Sequence, residues 1–259
     1  MLDWFINLNY LIKALLATIF TYLITVLGSS IVFFFKKVNK ALMDAMLGFA
    51  AGVMTAASYF SLLAPAIETS ITLNLNKWLP CSIGFLAGGL LLFIADKIFN
   101  KFLTKKNKRI LKLISSITIH NIPEGLAVGI AFGSIAYNVE GATLISAIML
   151  TIGIGLQNFP EGSAVSIPLL REGMSKKKSF IIGGMSAIVE PIFGVVGALL
   201  ILRIRILLPF LLSFAAGAMI YVVISELIPE SQTNEKKDLM ALFTIIGFTI
   251  MMILDVSLG

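Results

Sequence analysis

His120-Asn-Ile-Pro-Glu-Gly125 and Gln157-Asn-Phe-Pro-Glu-Gly162 are two versions of one hexad, and the second begins 37 residues after the first. Both lie in apolar stretches long enough to cross a membrane. A carboxylate within hydrocarbon is costly unless it is neutralised, so an ionisable residue at this depth indicates a function. Because two neighbouring stretches carry the same costly pattern, the sequence predicts that both hexads converge on one cation.

The composition is typical of an integral membrane protein. The chain of 259 residues is 58% hydrophobic and 13% charged, whereas soluble domains carry about 25% charged residues. Runs of about 20 apolar residues match the thickness of the hydrocarbon core. We therefore expect residues 1–259 to form a single membrane domain with no soluble domain. Eight runs are predicted to span the membrane as α-helices: Leu8–Phe35, Ala41–Ile67, Trp78–Phe99, Ile110–Tyr137, Gly141–Leu170, Ser179–Leu202, Ile206–Pro229 and Leu239–Leu258.

The distribution of positive charge predicts the orientation. Of the 20 Lys and Arg residues, 16 fall in the first, third, fifth and seventh loops, which leaves only Lys13, Lys77, Arg203 and Arg205 on the opposite side. Cytoplasmic loops carry the excess of Lys and Arg. We therefore expect a multi-pass protein of the cell (inner) membrane with both termini outside and the Lys/Arg-rich loops in the cytoplasm. The net charge of +6 then reflects orientation, and no nucleic-acid partner is expected.

An internal repeat predicts the architecture. Phe49-Ala-Ala-Gly-Val-Met54 in the second predicted span returns as Phe214-Ala-Ala-Gly-Ala-Met219 in the seventh. On the predicted orientation these spans run in opposite directions, as in the inverted repeats of many secondary transporters. The alternative is chance, since small residues recur in membrane helices where they help packing. The repeat predicts an all-α membrane protein of eight helices in a 3+2+3 arrangement, with spans 1–3 and 6–8 around a central pair, spans 4 and 5.

Helix geometry places the polar side chains of each hexad together. His120 and Glu124 are four residues apart, as are Gln157 and Glu161, so each pair shares a helix face. The proline of each hexad lacks an N–H and clashes with the carbonyl four residues earlier, which predicts kinks in the central pair. Irregular backbone at membrane depth is tolerated where it lines a cavity. The hexads are therefore predicted to present imidazole, carboxylate and amide oxygens to one point.

This set of side chains indicates a chemistry. Imidazole with carboxylate suits Zn²⁺, Fe²⁺ or Mn²⁺, and the single cysteine argues against a Cu(I) or structural zinc site. Glu124 and Glu161 balance one divalent cation, and with a third acid such as Glu190 they could bridge two metals. The alternative for Glu190 or Glu226 alone is an interhelical hydrogen bond.

The eight spans and the paired Pro-Glu-Gly hexads resemble the ZIP (Zrt/Irt-like) family of divalent metal transporters, particularly its prokaryotic branch, over essentially the whole chain. The resemblance implies the metal ion as transported substrate, no prosthetic group, and the lipid bilayer and a second copy in a homodimer as partners. It also implies two metal sites that share Glu124 and Glu161: a first with His120, nearby Ser61 and the adjacent acid Glu226, and a second with Asn121, Gln157, Asn158 and Glu190.

The resemblance also implies a mechanism. Spans 1, 4, 5 and 6 would move as a unit against spans 2, 3, 7 and 8, with Glu68 and Asp255 near the outer mouth and Asp96 towards the cytoplasm. Inverted repeats allow two packings of similar energy, which alternating access needs. The small residues of the repeat, including Gly52 and Gly217, are expected to form the surface along which this unit slides.

Together these inferences predict transport of a divalent transition-metal cation into the cytoplasm by alternating access, with Zn²⁺ favoured. Many ZIP proteins have a second histidine at the position of Gln157. Fewer imidazoles make the site harder, so Cd²⁺, Fe²⁺ and Mn²⁺ are further candidate substrates.

Three other functions fit the sequence less well. A saturable or passive cation channel would give a similar sequence, but a deep site with two carboxylates favours a carrier, since a channel must bind weakly. An enzyme is not expected, because an intramembrane metalloprotease needs two histidines around a glutamate base. A transporter of organic anions is disfavoured because no Lys or Arg lies mid-span. Met54 and Met219 are expected to pack in the core rather than bind metal.

Overall fold

A computed structural model describes residues 2–34, 39–102, 108–137, 142–233 and 236–258. Within these ranges, the side chains of residues 2, 3, 99–102, 108–117, 120, 171 and 258 lie outside the description. All regular secondary structure in the described ranges is helical. Helices satisfy their backbone N–H and C=O groups internally, which a chain surrounded by lipid must do.

Eight long helical segments follow a short helix, Leu2–Ile6, in the described part of the chain. They are α1 (Tyr10–Phe34), α2 (Lys40–Thr72), α3 (Leu79–Phe102), α4 (Lys108–Ser134), α5 (Leu144–Arg171), α6 (Lys176–Arg203), α7 (Arg205–Ser231) and α8 (Lys237–Leu258). Four of these segments are divided into shorter helical parts. α1 consists of Tyr10–Ser29 and Ile31–Phe34, and α6 consists of Lys176–Met185 and Val189–Arg203. α2 and α7 each contain a π-helical turn: α2 consists of Lys40–Ala57, the π-helical turn Ser58–Leu63 and Ala64–Thr72, and α7 consists of the 3₁₀ turn Arg205–Leu207, Leu208–Val222, the π-helical turn Val223–Leu227 and Ile228–Ser231. A 3₁₀ turn, Ile135–Tyr137, follows α4.

Six of these segments in the described residues are long and apolar enough to cross a membrane: α1, α2, α3, α6, α7 and α8. The prediction of an all-helical protein with several membrane spans is confirmed to this extent. The fourth and fifth predicted spans, Ile110–Tyr137 and Gly141–Leu170, fall on α4 and α5, which are not among the six. Both helices continue through the hexad prolines, Pro123 and Pro160.

The burial of the segments places α3 and α8 at the periphery. Of the most apolar part of α2 and of α7, 61% is buried, against 22% for α3 and 17% for α8. The exposed side chains of α3 and α8 are chiefly large aliphatic residues such as Leu86, Leu90, Ile245 and Val256. Such faces suit contact with lipid.

The helices α4 and α5 occupy the centre. α4 packs against α1, α3, α5, α6 and α7, whereas α5 packs against α1, α2, α4, α6 and α8. Met54 and Met219 are both buried in the main hydrophobic core, which confirms that they pack there.

The two copies of the repeat make the same kind of close contact. A Cβ atom added at Gly52 in α2 would lie 1.9 Å from the carbonyl oxygen of Thr244 in α8. A Cβ atom added at Gly217 in α7 would lie 1.9 Å from the carbonyl oxygen of Phe85 in α3. Because no side chain fits at such distances, each glycine lets two helix backbones touch.

These contacts correct one expectation. Gly52 and Gly217 face α8 and α3, which the family resemblance assigns to the same unit as α2 and α7. The expectation that these glycines form a sliding surface between two moving units is therefore wrong. Gly52 instead holds α2 against α8, and Gly217 holds α7 against α3.

The π-helical turns also fall at corresponding places. In α2 the Ala64 N–H donates to the carbonyl of Tyr59, and in α7 the Ile228 N–H donates to the carbonyl of Val223, so both bonds span five residues. Each turn ends two residues before a proline, Pro65 in α2 and Pro229 in α7. A proline cannot donate a hydrogen bond and crowds the carbonyl four residues earlier, which explains the local widening. Such π-helical turns often lie at functional sites.

Candidate metal site

A break in α6 prepares one side of the site. The Ala187 N–H bonds the carbonyl of Gly184, and the Glu190 N–H bonds that of Ala187, so the chain between the two parts of α6 follows a tighter 3₁₀ pattern. Pro191 directly follows and disfavours a regular helix here. The carbonyl of Ser186 therefore loses its usual partner within α6. The Asn121 side chain of α4 takes that place, since its Nδ2 donates to the Ser186 carbonyl at 3.0 Å.

Glu190, at the start of the second part of α6, is fully buried and held by two other helices. Asn158 Nδ2 of α5 lies 2.9 Å from Glu190 Oε1 and 3.1 Å from Oε2. The hydroxyl of Thr21 in α1 donates to Glu190 Oε2. The backbone of α4 approaches closely as well, because Gly125 lies against the Glu190 main chain, where an added Cβ would be 2.5 Å from the carbonyl oxygen.

Glu124 and Gln157 join the two hexads directly. Gln157 Nε2 donates to Glu124 Oε1 at 2.7 Å, and both side chains are fully buried. Glu161 is nearly as buried, with an exposed fraction of 4%. Glu190, the third acid of this region, is fully buried as well. A buried carboxylate is costly in its ionised form unless a positive charge neutralises it.

Several buried oxygen atoms of the hexads have no hydrogen-bond partner among the described residues. They are Asn121 Oδ1, Glu124 Oε2, Gln157 Oε1 and Asn158 Oδ1. A buried oxygen without a partner costs about 1–3 kcal/mol, and more when it is charged. All four belong to carboxylate or carboxamide groups, which are hard oxygen ligands for cations. The arrangement thus leaves acceptor capacity unused where a cation could take it up.

The described acids do not by themselves form a metal cage. Among the described side chains, which do not include that of His120, no group of three or more His, Cys, Asp and Glu residues has the geometry to hold a metal ion. The amide donors of Gln157 and Asn158 occupy carboxylate oxygens instead. A bound cation would have to displace these two donors.

The prediction for His120 concerns a side chain outside the described part of the structure. Its backbone lies within α4, four residues before Glu124. The predicted role of its imidazole as a ligand stays a prediction.

Ser61 lies in the π-helical turn of α2, beside α8. Its hydroxyl donates to Asp255 Oδ2 of α8 at 2.6 Å, in the wall of a cavity of about 180 Å³. Glu68 lines the same cavity, together with Ser134 and Ser146, and none of the described hexad side chains does so. Asp255 and Glu68 therefore line one cavity, and their place near the outer mouth stays a prediction. The predicted proximity of Ser61 to the hexads stays a prediction.

Glu226 and Asp96 belong to a second polar region. Glu226 lies in the π-helical turn of α7 and is partly buried. Tyr221, one turn earlier in α7, donates its hydroxyl to Asp96 Oδ2 of α3 at 3.1 Å. The role of Glu226 beside the first metal site likewise stays a prediction.

Sequence reasoning missed Thr21 and the Ser186 carbonyl. Thr18, Thr21 and Thr25 are all buried and lie on one face of the otherwise apolar α1. This polar stripe at helical spacing was the available signal. For Ser186, the signal was the proline five residues later, which interferes with helical hydrogen bonding.

Buried acids and amides between long apolar helices define a multi-pass membrane protein with a polar centre. The family model described as "ZIP Zinc transporter" matches residues 103–255. Zinc transporter ZIP11 of Bos taurus is 36% identical over 95% of this chain and 97% of its own length. Zinc transporter ZIP11 of Homo sapiens is 35% identical over the same shares. Zinc transporter ZupT of Clostridium perfringens is 31% identical over 95% of each chain.

The chain belongs to the ZIP zinc transporter family. The resemblance inferred from the hexads is confirmed, as is the expectation of a transporter rather than an enzyme. The vertebrate ZIP11 sequences are more similar to this chain than the bacterial ZupT is, so these relatives do not single out the prokaryotic branch.

Proposed function

We propose that this protein carries Zn²⁺ across a cell membrane into the cytoplasm, binding the ion between α4, α5 and α6. The relatives that cover nearly the whole chain are named zinc transporters, which favours zinc as the substrate. The ion is cargo, and the proposal involves no prosthetic group. The proposed ligands are His120, Asn121, Glu124, Gln157, Asn158, Glu161 and Glu190, with Ser61 and Glu226 on the path to and from them.

One observation carries the proposal: the hexads bury oxygen atoms that nothing in the described structure satisfies. Among the described residues, Glu124 Oε2 and Gln157 Oε1 have no partner, although a 2.7 Å hydrogen bond already links the two side chains. In a purely structural network, evolution could remove such a cost with an apolar pair of similar volume. A divalent cation would satisfy these oxygens and neutralise the buried carboxylates at once.

The contacts support the 3+2+3 arrangement as part of this proposal. At about 1.5 Å per residue, the 27 residues of α4 and the 28 of α5 extend about 40 Å, more than the hydrocarbon core of about 30 Å. α4 packs against α1, α3, α6 and α7, and α5 packs against α6, α8, α1 and α2. Exchanging α1, α2 and α3 for α6, α7 and α8 turns one set of contacts into the other, which is the pattern expected of the proposed repeat.

The inverted repeat then provides the two states of a carrier. In alternating access, the site opens to one side and then to the other while one group of helices rocks against the other. We propose that α1, α4, α5 and α6 move together, since Glu190, Asn158 and Thr21 tie α6, α5 and α1 to one another. We place both termini outside and the Lys-rich loops in the cytoplasm, on the charge distribution of the sequence.

The first experiment compares two Glu→Gln variants in proteoliposomes. Glu124→Gln keeps the shape of the side chain and removes its charge, so zinc uptake should fall nearly to that of empty liposomes. Glu230→Gln is the matched control, because Glu230 is exposed at the far end of α7. Thermal unfolding of both purified variants tests whether they are folded. Near-normal uptake by folded Glu124→Gln would refute the proposed site.

A second pair of variants separates the proposed metals. Glu161→Ala removes a carboxylate that serves both sites, so uptake should be nearly abolished. Glu190→Ala touches only the second site and should lower the rate or the affinity without abolishing transport. Equal loss in both variants would contradict the division into two sites.

Substrate range and carrier behaviour are tested in the same vesicles. Uptake of Zn²⁺, Cd²⁺, Fe²⁺ and Mn²⁺ should each saturate with concentration, because ligands that strip the hydration shell must release the ion before the next turnover. A rate that rises linearly with concentration would favour a channel. The molar mass of the detergent-solubilised protein by light scattering tests the proposed homodimer.

A further inference from the structure

Thr21 is the residue at which three helices meet around Glu190. It is fully buried in α1, and its hydroxyl donates to Glu190 Oε2 of α6. Its carbonyl lies 3.3 Å from Asn158 Nδ2 of α5, and the same amide nitrogen also contacts both oxygens of Glu190. Main chain and side chain of one residue thus hold a carboxylate and its amide partner.

The hydroxyl has a choice of acceptors, and the carboxylate is the stronger one. Thr21 Oγ1 also lies 3.0 Å from the carbonyl of Thr18 in its own helix. A hydroxyl has one proton to donate. Hydrogen bonds to an ionised acceptor are about twice as strong as those between neutral groups, so the proton points to Glu190 when that residue is ionised, as it would be with a metal ion bound.

We propose that Thr21 is a positioning residue of the transport site: its hydroxyl holds Glu190 Oε2 and leaves Oε1 to bind the metal ion. This inference rests on the proposed function. A ligand carboxylate commonly has such a hydrogen-bonded partner, and loss of that partner typically costs about 10–100-fold in metal affinity. Asn158 would supply a second ligand atom. Its Oδ1 has no partner among the described residues, and once its Nδ2 releases Glu190 Oε1 the side chain can turn this oxygen towards the metal ion.

The packing of α1 against α5 restricts the position of Thr21. An added Cβ at Gly162 in α5 would be 2.1 Å from the carbonyl of Thr25, and one at Gly28 in α1 would be 2.0 Å from the carbonyl of Phe159. The backbones of α1 and α5 therefore touch within the two turns of α1 that follow Thr21. Thr21 has little freedom to move away from Glu190, so its hydroxyl acts as a fixed donor.

The test measures binding of Zn²⁺ alone to purified protein by titration calorimetry. Thr21→Val removes the hydroxyl and keeps the side-chain shape, and it should weaken zinc binding at the site containing Glu190 by about 10–100-fold. Thr18→Val is the matched control: Thr18 is equally buried one turn earlier, but its hydroxyl donates to the carbonyl of Ala14 within α1. That variant should bind zinc like the wild type. Thr21→Ser restores the hydroxyl and should restore the affinity.

A double-mutant cycle distinguishes positioning from general stability. With Glu190→Gln already present, Thr21→Val should cause little further loss of zinc affinity, because the group it positions has lost its charge. Wild-type affinity in folded Thr21→Val, or a full additional loss in the double mutant, would overturn the inference. If Thr21→Val does not fold, Thr21→Ala takes its place, and wild-type zinc binding by that variant would overturn it equally.

Failure of the proposed function would look different. In that case the wild-type protein itself would bind no zinc, and Thr18→Val and Thr21→Val would be alike for that reason. Binding by the wild type and by Thr18→Val establishes the site before the Thr21 variants are compared.

Discussion

The neighbouring glycines Gly88 and Gly89 of α3 permit a sharp test of the packing between α3 and α7. A Cβ atom added at Gly88 would lie 2.0 Å from the carbonyl oxygen of Phe214, whereas one added at Gly89 would have its nearest neighbour at 3.5 Å, the carbonyl oxygen of Gly217. Ordinary van der Waals contact begins at 3.4 Å. Gly88→Ala therefore forces a clash with backbone, and Gly89→Ala fits.

The expected magnitudes follow from these distances. In a helix, Ala is favoured over Gly by at most about 1 kcal/mol, and this gain is common to both variants. At Gly88 the two helices must separate by about 1.4 Å, because a backbone carbonyl cannot rotate away as a side chain can, and overpacking of this kind costs about 1–3 kcal/mol or more. Gly88→Ala should thus be less stable than Gly89→Ala by about 1–3 kcal/mol.

The assay is thermal unfolding of both purified variants in the same detergent. For a chain of this size, 1 kcal/mol shifts the unfolding temperature by about 2–4 °C, so the two variants should differ by several degrees. Gly89→Ala should match or exceed the wild type. Equal unfolding temperatures, or a more stable Gly88→Ala, would refute the close backbone contact and the architecture that depends on it. Zinc binding by the folded fraction of either variant should persist, because the proposed ligands lie on α4, α5 and α6.

Orientation and the two mouths give further predictions. In a Cys81→Ser background, Lys77→Cys should react with an impermeant thiol reagent only from outside and Lys177→Cys only from the cytoplasm; the reverse pattern would contradict the proposed topology. Asp255→Asn should raise the KM of zinc uptake, because it removes charge from the cavity where the ion arrives. Asp96→Asn should lower the maximal rate with little change in KM, and concentration series in proteoliposomes distinguish this result from an equal effect of both variants.

The sequence predicted the meeting of the two hexads, and the reason is local. Glu124 shares a helix face with His120, as Gln157 does with Glu161, and buried polar groups in apolar helices must find one another. Their 2.7 Å hydrogen bond follows from that requirement. The pairing of Asn158 with Glu190 follows in the same way, since both are polar positions in buried helices.

Thr21 could not be predicted with equal certainty, because a threonine in a membrane helix usually has another option. Thr18 and Ser58 illustrate it: each hydroxyl donates to a carbonyl four residues earlier in its own helix. Such back-bonding satisfies the hydroxyl without any neighbour. Only the packing of α1 against α6 decides that Thr21 has a carboxylate within reach.

The wrong expectation that Gly52 and Gly217 form a sliding surface has a related cause. A small residue such as Gly52 predicts that some helix approaches closely, but not which helix it is. The partner depends on how the segments are arranged in three dimensions, and for Gly52 that partner is Thr244 of α8. A pattern of small residues therefore predicts contact without predicting motion.

The glycine contacts extend the repeat beyond the stretch in which it is visible in the sequence. Phe85 and Gly88 in α3 have the same spacing and the same type of contact as Thr244 and Gly247 in α8. Eight residues after each of these two glycines lies an aspartate, Asp96 in α3 and Asp255 in α8. The two acids thus occupy equivalent positions, although little else in the two helices is alike.

This equivalence relates the two polar regions outside the central site. Ser61 and Glu226 both lie nine residues after the glycine of their copy, within the π-helical turns. Ser61 and Asp255, which share a hydrogen bond, are therefore equivalent to Glu226 and Asp96. In the second pair, Asp96 accepts a hydrogen bond from Tyr221. In the proposed inverted arrangement, equivalent positions lie at opposite membrane surfaces. The proposed path through the hexads would then have an acidic group at each end, supplied by one structural unit used twice. A serine at one end and a glutamate at the other, Ser61 and Glu226, would make the two ends chemically unequal, which the backbone symmetry alone would not.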